Sequence, residues 1–256
     1  MLQAHSIFWH YLWVAPNLLL LILAVILWKR GTARQFPAFA TFAFLGSVGQ
    51  VCVYASDMLP SVTPDAYWRI VWGDLILEVI LKFALIAEIF GLLFGSYAVV
   101  ARLGKLLIRG VGVALILAAA VAAAYAPRIE LVAIINGANL FDQTIFLVES
   151  GVLGFIFLFS FYFRLSWPRQ LFGIALGLSI SACVHLATWA LISNAGLPYF
   201  SRLISVFLNM AIYHLCVLIW FYYLLVPKKD AVKPVVSVPE HDLEVWNREL
   251  ERLIHQ

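Results

Sequence analysis

Charge is what this sequence has least of. Only 12% of its 256 residues are Asp, Glu, Lys or Arg, and 64% are hydrophobic. A soluble domain carries about 25% charged and about 45–50% apolar residues. With a mean hydropathy of +0.95, the chain is read as an integral membrane protein. Cysteine is scarce as well. Cys52, Cys183 and Cys216 are the three present. Each stands alone in an apolar run, with neither CxxC nor metal-ligand spacing, so each is expected to be a small buried apolar side chain. No HExxH, nucleotide-binding loop or nucleophile elbow occurs, and no catalytic residue or metal site is assigned. No feature points to nucleic acid.

What is abundant is long apolar runs. A bilayer core of about 30 Å needs about 20 such residues as a helix. Seven runs qualify, at roughly 8–28, 36–55, 70–100, 110–126, 131–163, 171–192 and 203–226. The third and fifth are longer than a crossing requires and are expected to tilt or project. The fifth can begin near Asp142, leaving INGANLFD partly wet. The first seven residues carry no Lys or Arg, and the positive charges follow the first run. That pattern favours an inserted helix over a cleavable signal peptide.

Basic residues set the expected orientation. Lys29, Arg30, Arg34, Arg102, Lys105, Arg109, Arg164, Arg169 and the tail residues Lys228, Lys229, Lys233, Arg248 and Arg252 fall on one side. Only Arg69, Arg128 and Arg202 fall on the other. By the positive-inside rule the N-terminus is outside and the C-terminus cytoplasmic. The fold class expected is all-α, an integral membrane bundle of seven helices over 1–226 in the cell's inner membrane. A linker over 227–238 and a short amphipathic C-terminal helix over 239–256 follow it. Trp9, Tyr11, Trp13, Trp68, Trp72, Trp167, Trp220, Tyr222 and Tyr223 lie near predicted boundaries, where aromatic belts are expected without further role. Gly91–Gly95 and Gly173–Gly177 are GxxxG pairs, suited to close helix contact.

The tail helix has a capping box, Ser237 with Glu240, and Pro239 in its first turn. Leu243, Trp246, Leu250 and Leu253 share one face, and Glu244 pairs with Arg248 at i,i+4. It is expected to lie on the membrane surface, or to dock a cytoplasmic protein or a second copy. The tail is too short for a catalytic output domain.

The exceptions to apolarity carry the functional reading. Residues 73–90 read GDLILEVILKFALIAEIF. At 100° per residue, Asp74, Glu78, Lys82 and Glu88 fall within an arc of about 120°. Charged residues inside a span usually face a bundle interior or a water-filled cavity. Glu78 and Lys82 are spaced to form an i,i+4 pair. By helical rise, Glu78, Glu149 and Asn209 lie about 9 Å from the outer edge, His185 about 11 Å, and Lys82 and His214 about 15–16 Å. Gln50 and His10 belong to the same half. Glu88 is deeper and has no partner in its own run.

Asp74, Glu78, Lys82, Glu149, His185, Asn209 and His214 are therefore the candidate ligand- or proton-binding residues, in a cavity open outward and closing near the midplane. The ligand expected is small and polar or amphipathic. No cofactor is expected. A bis-histidine haem between His185 and His214 is the sharpest alternative, since consecutive helices place them at similar depth.

A blind outer cavity suits a sensor or signalling scaffold. A small-solute or proton-coupled transporter is the alternative; it also needs an inner half-path, and no internal repeat is seen. Two known seven-helix classes are not matched. The run 203–226 lacks the lysine of microbial rhodopsins, and the PQ dipeptide of PQ-loop carriers is absent. The seven runs, the acidic third helix (ALIAEIF) and the tail WNRELERL resemble those of bacterial seven-helix membrane proteins of unassigned activity. That resemblance implies membrane location and little else.

Overall fold

A computed structural model describes residues 6–95, 131–195 and 199–226, with isolated helical positions at 104, 106, 110, 113 and 117; side chains are described for 6–95, those five positions, 142–190 and 203–226. The predicted span 110–126, the linker 227–238 and the tail helix 239–256 otherwise lie outside the described residues. Six α-helices are described, α1 Ile7–Lys29, α2 Pro37–Met58, α3 Pro64–Leu93, α4 Leu131–Tyr162, α5 Arg169–Ala195 and α6 Tyr199–Leu225, with a 3-10 turn at Thr32–Arg34 and no strand among the described residues. Five of the six, all but α3, are long and apolar enough to cross a membrane. α3 misses that criterion because its own charges, Asp74, Glu78, Lys82 and Glu88, crowd the run.

Local chemistry sets the helix ends. Ser6 caps α1 by accepting the amide of Trp9, and Thr63 caps α3 by accepting that of Ala66, with Pro64 opening the helix. Both arrangements satisfy amides that a helix start leaves orphaned. The Thr63 cap is why α3 begins six residues before the apolar run predicted from 70. α1 leaves through Gly31, whose φ of 73° is a left-handed conformation that glycine adopts without strain. α4 ends with Arg164 at φ 50°, where Leu165 N–H bonds the Ser160 carbonyl and Arg164 N–H that of Phe161. This is a Schellman-type stop with arginine in the usual glycine place. α4 is helical from Leu131, so the segment around INGANL is part of the helix rather than a separate approach to it.

The helices pack as α1·α2, α2·α3, α3·α4, α4·α5, α5·α6 and α6·α1. Lipid-type side chains cover the outside: Leu18, Ile22, Val25, Leu147, Leu158 and Leu218 are all exposed. Cys52 and Cys183 also lie exposed, and only Cys216 is buried. The expected burial of all three is thus corrected. A thiol is apolar enough to sit on a hydrocarbon-facing surface.

One end of the bundle is rich in arginine. Arg30 Nη1 donates to the Leu225 carbonyl at 3.4 Å and Arg169 Nη1 to that of Val226 at 2.9 Å. Both guanidinium groups meet the C-terminus of α6, where the helix dipole is negative and the carbonyls lack helical partners. At the same end, the Glu88 carboxylate accepts the amides of Ala38 (2.9 Å) and Phe39 (3.1 Å). Glu88 is therefore a cap supplied by α3 to the first turn of α2. Pro37 and the loop before it offer no side-chain cap of their own. The deep carboxylate has a partner that sequence spacing cannot reveal.

Between the two ends, the core nearer the arginines is apolar and aromatic. Phe39, Leu85, Ile86, Ile89, Phe94, Ile156, Leu171 and Ile174 are almost completely buried. Phe39 and Phe42 meet Trp220 edge-on, at centroid distances of 5.5 and 5.9 Å. Trp220 is 1% exposed and donates to the Ile174 carbonyl at 3.3 Å. It is a core residue rather than part of an interfacial belt. It reaches that place because Gly177 on α5 leaves room: a Cβ there would collide with Trp220, as one at Gly173 would with Tyr223 of α6. The second predicted GxxxG pair is thus a close α5·α6 contact.

Candidate functional site

Above this aromatic layer lies a cavity of about 300 Å³ lined by side chains of all six helices. That is the lower end of the usual size for a small-molecule site. Phe42 and Trp220 form its floor. Of the seven predicted residues, six line it: Asp74, Glu78, Lys82, Glu149, His185 and Asn209. His214 is not among the lining residues. Its ring faces Tyr11 of α1 at 5.8 Å, and its buried Nδ1 makes no hydrogen bond. His185 and His214 therefore have different surroundings, one in the cavity wall and one at the α1·α6 seam. Among the described residues no group of three or more His, Cys, Asp and Glu is placed to hold a metal ion.

The centre of the site is an ion triad. Lys82 Nζ is 2.7 Å from Glu78 Oε1 and 3.0 Å from Glu149 Oε2. It also sits 3.8 Å from the centroid of the Phe146 ring, on the electron-rich face. Lys82 is 5% and Glu149 0% exposed. The i,i+4 spacing on α3 supplies the first bond. The second needs α4 beside α3, which turns a local clasp into a bridge between helices. A buried ion pair survives only with good geometry and further partners, and here one cation is shared by two anions and a ring. Glu149 Oε1 has no hydrogen-bond partner.

Polar links radiate from the triad toward the end away from the arginines. Gln50 Nε2 donates to Asp74 Oδ2 at 2.8 Å, and Trp13 Nε1 donates to Gln50 Oε1 at 3.2 Å. This chain ties α1, α2 and α3 together. Asp74 fits against α2 because residue 49 is glycine; a Cβ there would overlap its Oδ1. Beyond it, Tyr54 Oη and His10 Nδ1 are 3.0 Å apart. On the opposite wall His185 Nε2 lies 3.0 Å from Asp142 Oδ2, and its ring stacks on Phe146 at 3.8 Å. Thr188 Oγ1 is 3.1 Å from Asn209 Oδ1. Asn17 donates to the Trp13 carbonyl at 2.8 Å, and the Tyr213 hydroxyl is 3.5 Å from Asn17 Oδ1.

Sequence reading overlooked Asp142, Phe146, Trp13, Asn17, Ser181 and Tyr213 as site residues. A signal was present. Asp142, Phe146 and Glu149 are spaced 4 and 3 on α4, and Leu178, Ser181 and His185 are spaced 3 and 4 on α5. Such spacings put each set on one helix face.

Comparison of the chain with protein-family models, with curated proteins and with solved structures finds no match to any of them.

Proposed function

We propose that this protein is a seven-span membrane sensor or signalling scaffold of the inner membrane, which binds a small polar or amphipathic ligand, or responds to protonation, in the outer half of its bundle. The observation that carries the reading is the shared cavity: side chains from six described helices converge on the Glu78–Lys82–Glu149 triad, in which Lys82 and Glu149 are buried and Glu78 is partly so. A pair serving only to hold two helices needs no such space around it. Below the cavity the core is continuous aromatic and aliphatic packing. A closed floor under a polar chamber suits a receptor better than a conduit.

Chain direction supports the seventh crossing. The ends of α3 and α4 lie together, with Phe94 and Phe159 rings 5.4 Å apart. The arginine contacts place the start of α5 beside the end of α6, and α4 ends only a short loop before α5 begins. The described helices α3 and α4 thus run the same way, which supports the reading of a further span at 110–126 between them. The arginine-rich end is then cytoplasmic. The tail helix 239–256 would carry output to a cytoplasmic protein or a second copy. The likeness to bacterial seven-helix membrane proteins fits this reading.

The test uses purified protein in lipid nanodiscs. Its thermal stability is followed over a pH series and against a panel of small solutes. A response lost in both Lys82→Met and Glu149→Gln supports the reading. Responses unchanged in both variants overturn it. Solute or proton flux in proteoliposomes would identify a transporter instead.

A further inference from the structure

The cavity's charge is unbalanced. Its wall holds three carboxylates, Asp74, Glu78 and Glu149, against one ammonium, Lys82. The other polar groups facing it are neutral amides and hydroxyls, together with His185, which already has Asp142 as its partner. Lys82 has no reach to spare, being held by Glu78, Glu149 and the Phe146 face. An anionic ligand would therefore meet excess negative charge and, among the described residues lining the cavity, no cation besides Lys82.

A second, independent observation points to a missing donor. Glu149 is fully buried, lines the cavity, and keeps Oε1 without a hydrogen bond. Leaving such an acceptor unmade in a low-dielectric site is costly. The remaining wall is aromatic and aliphatic, including Phe42, Phe146, Tyr213 and Trp220. Ring faces of this kind attract cations.

We propose that the cavity binds a small amphipathic organic cation, a primary or secondary ammonium carried on an aryl or short alkyl body. This rests on the reading of the cavity as a ligand site and names its ligand class. The ammonium N–H groups donate to Glu149 Oε1 and the neighbouring carboxylates, and the apolar body lies on the Phe42–Trp220 floor. Quaternary ammonium compounds, which have no N–H, bind less well.

Binding of radiolabelled 2-phenylethylamine to the full chain in zwitterionic phosphatidylcholine nanodiscs tests this, with empty nanodiscs as blank. The competitors 2-phenylethanol (neutral) and phenylacetate (anionic), close to the amine in size, separate charge from shape, and the bulkier N-trimethylated amine keeps the charge without an N–H. Saturable amine binding is expected, with each competitor at least about tenfold weaker, the value of one charge-assisted hydrogen bond. Glu149→Gln should weaken the amine about tenfold or more. Asp74→Asn, which keeps an acceptor for Gln50, is the second variant should the first fold poorly. Phenylacetate binding as tightly as the amine overturns the cation assignment while leaving the ligand cavity standing. Amine binding unaltered in both variants overturns it by placing the amine elsewhere. No binding of any compound, with a pH response that still depends on Glu149, overturns the cation and leaves a proton sensor.

Discussion

The two halves of this bundle share the same six described helices but obey different rules. Near the arginine-rich end, Phe39, Phe42, Ile86, Phe94, Ile156 and Trp220 fill space with apolar atoms, and Glu88 caps α2. Near the other end, polar side chains face inward around a cavity, and one buried carboxylate oxygen is left unbonded. Well-packed interiors lose stability when atoms are removed. The packed half fixes the helices so that the polar half can remain incomplete.

Substitutions should separate the halves, and the largest effect belongs to the packed one. Trp220→Ala removes a side chain wedged against Phe39, Phe42 and Gly177, and should cost roughly 3–5 kcal/mol, read as a fall in thermal midpoint in detergent. Lys82→Met strands two carboxylates and should cost about 3 kcal/mol. Removing one of those two stranded charges with Glu149→Gln in the same chain should recover part of that loss, which a double-mutant cycle measures. Glu88→Ala takes the cap from α2 and should cost about 1–2 kcal/mol, with no change in ligand or pH response. Asp74→Asn should change stability by under about 1 kcal/mol yet diminish the response of the cavity. A polar-half variant that behaved like Trp220→Ala, losing stability and nothing else, would make that half structural too.

Much of the crossing pattern could be read from composition, because hydrocarbon tolerates few side chains and the runs are long. Their ends were less legible. Thr63 and Ser6 set helix starts by capping, outside the apolar runs. The arc of four charges on α3 was legible from helical angles, but their fates were not. Asp74, Glu78 and Lys82 line the cavity, and Glu88 turns to the start of α2. Helical angle fixes a direction about one axis; which neighbour stands there is tertiary information. The same limit hid the Glu149–Lys82 contact and the Asp142–His185 pair, each between two helices. Trp220 misled because an aromatic near the end of a run reads as interfacial, and Gly177 of α5 is what makes room for it in the core.

On the proposed reading the triad belongs to a chamber reached from the end away from the arginines. Ser181 lines that chamber, and Cys52, Cys183 and Cys216 can be replaced to give a thiol-free background. Labelling of Ser181→Cys in oriented membrane vesicles with a membrane-impermeant charged thiol reagent is the direct measurement. Rapid modification from the side opposite the arginine-rich end, and protection from the arginine-rich side, is the predicted result. Protection from both sides would show a sealed structural clasp, and modification from the arginine-rich side would show that the floor at Phe42 and Trp220 does not close the path.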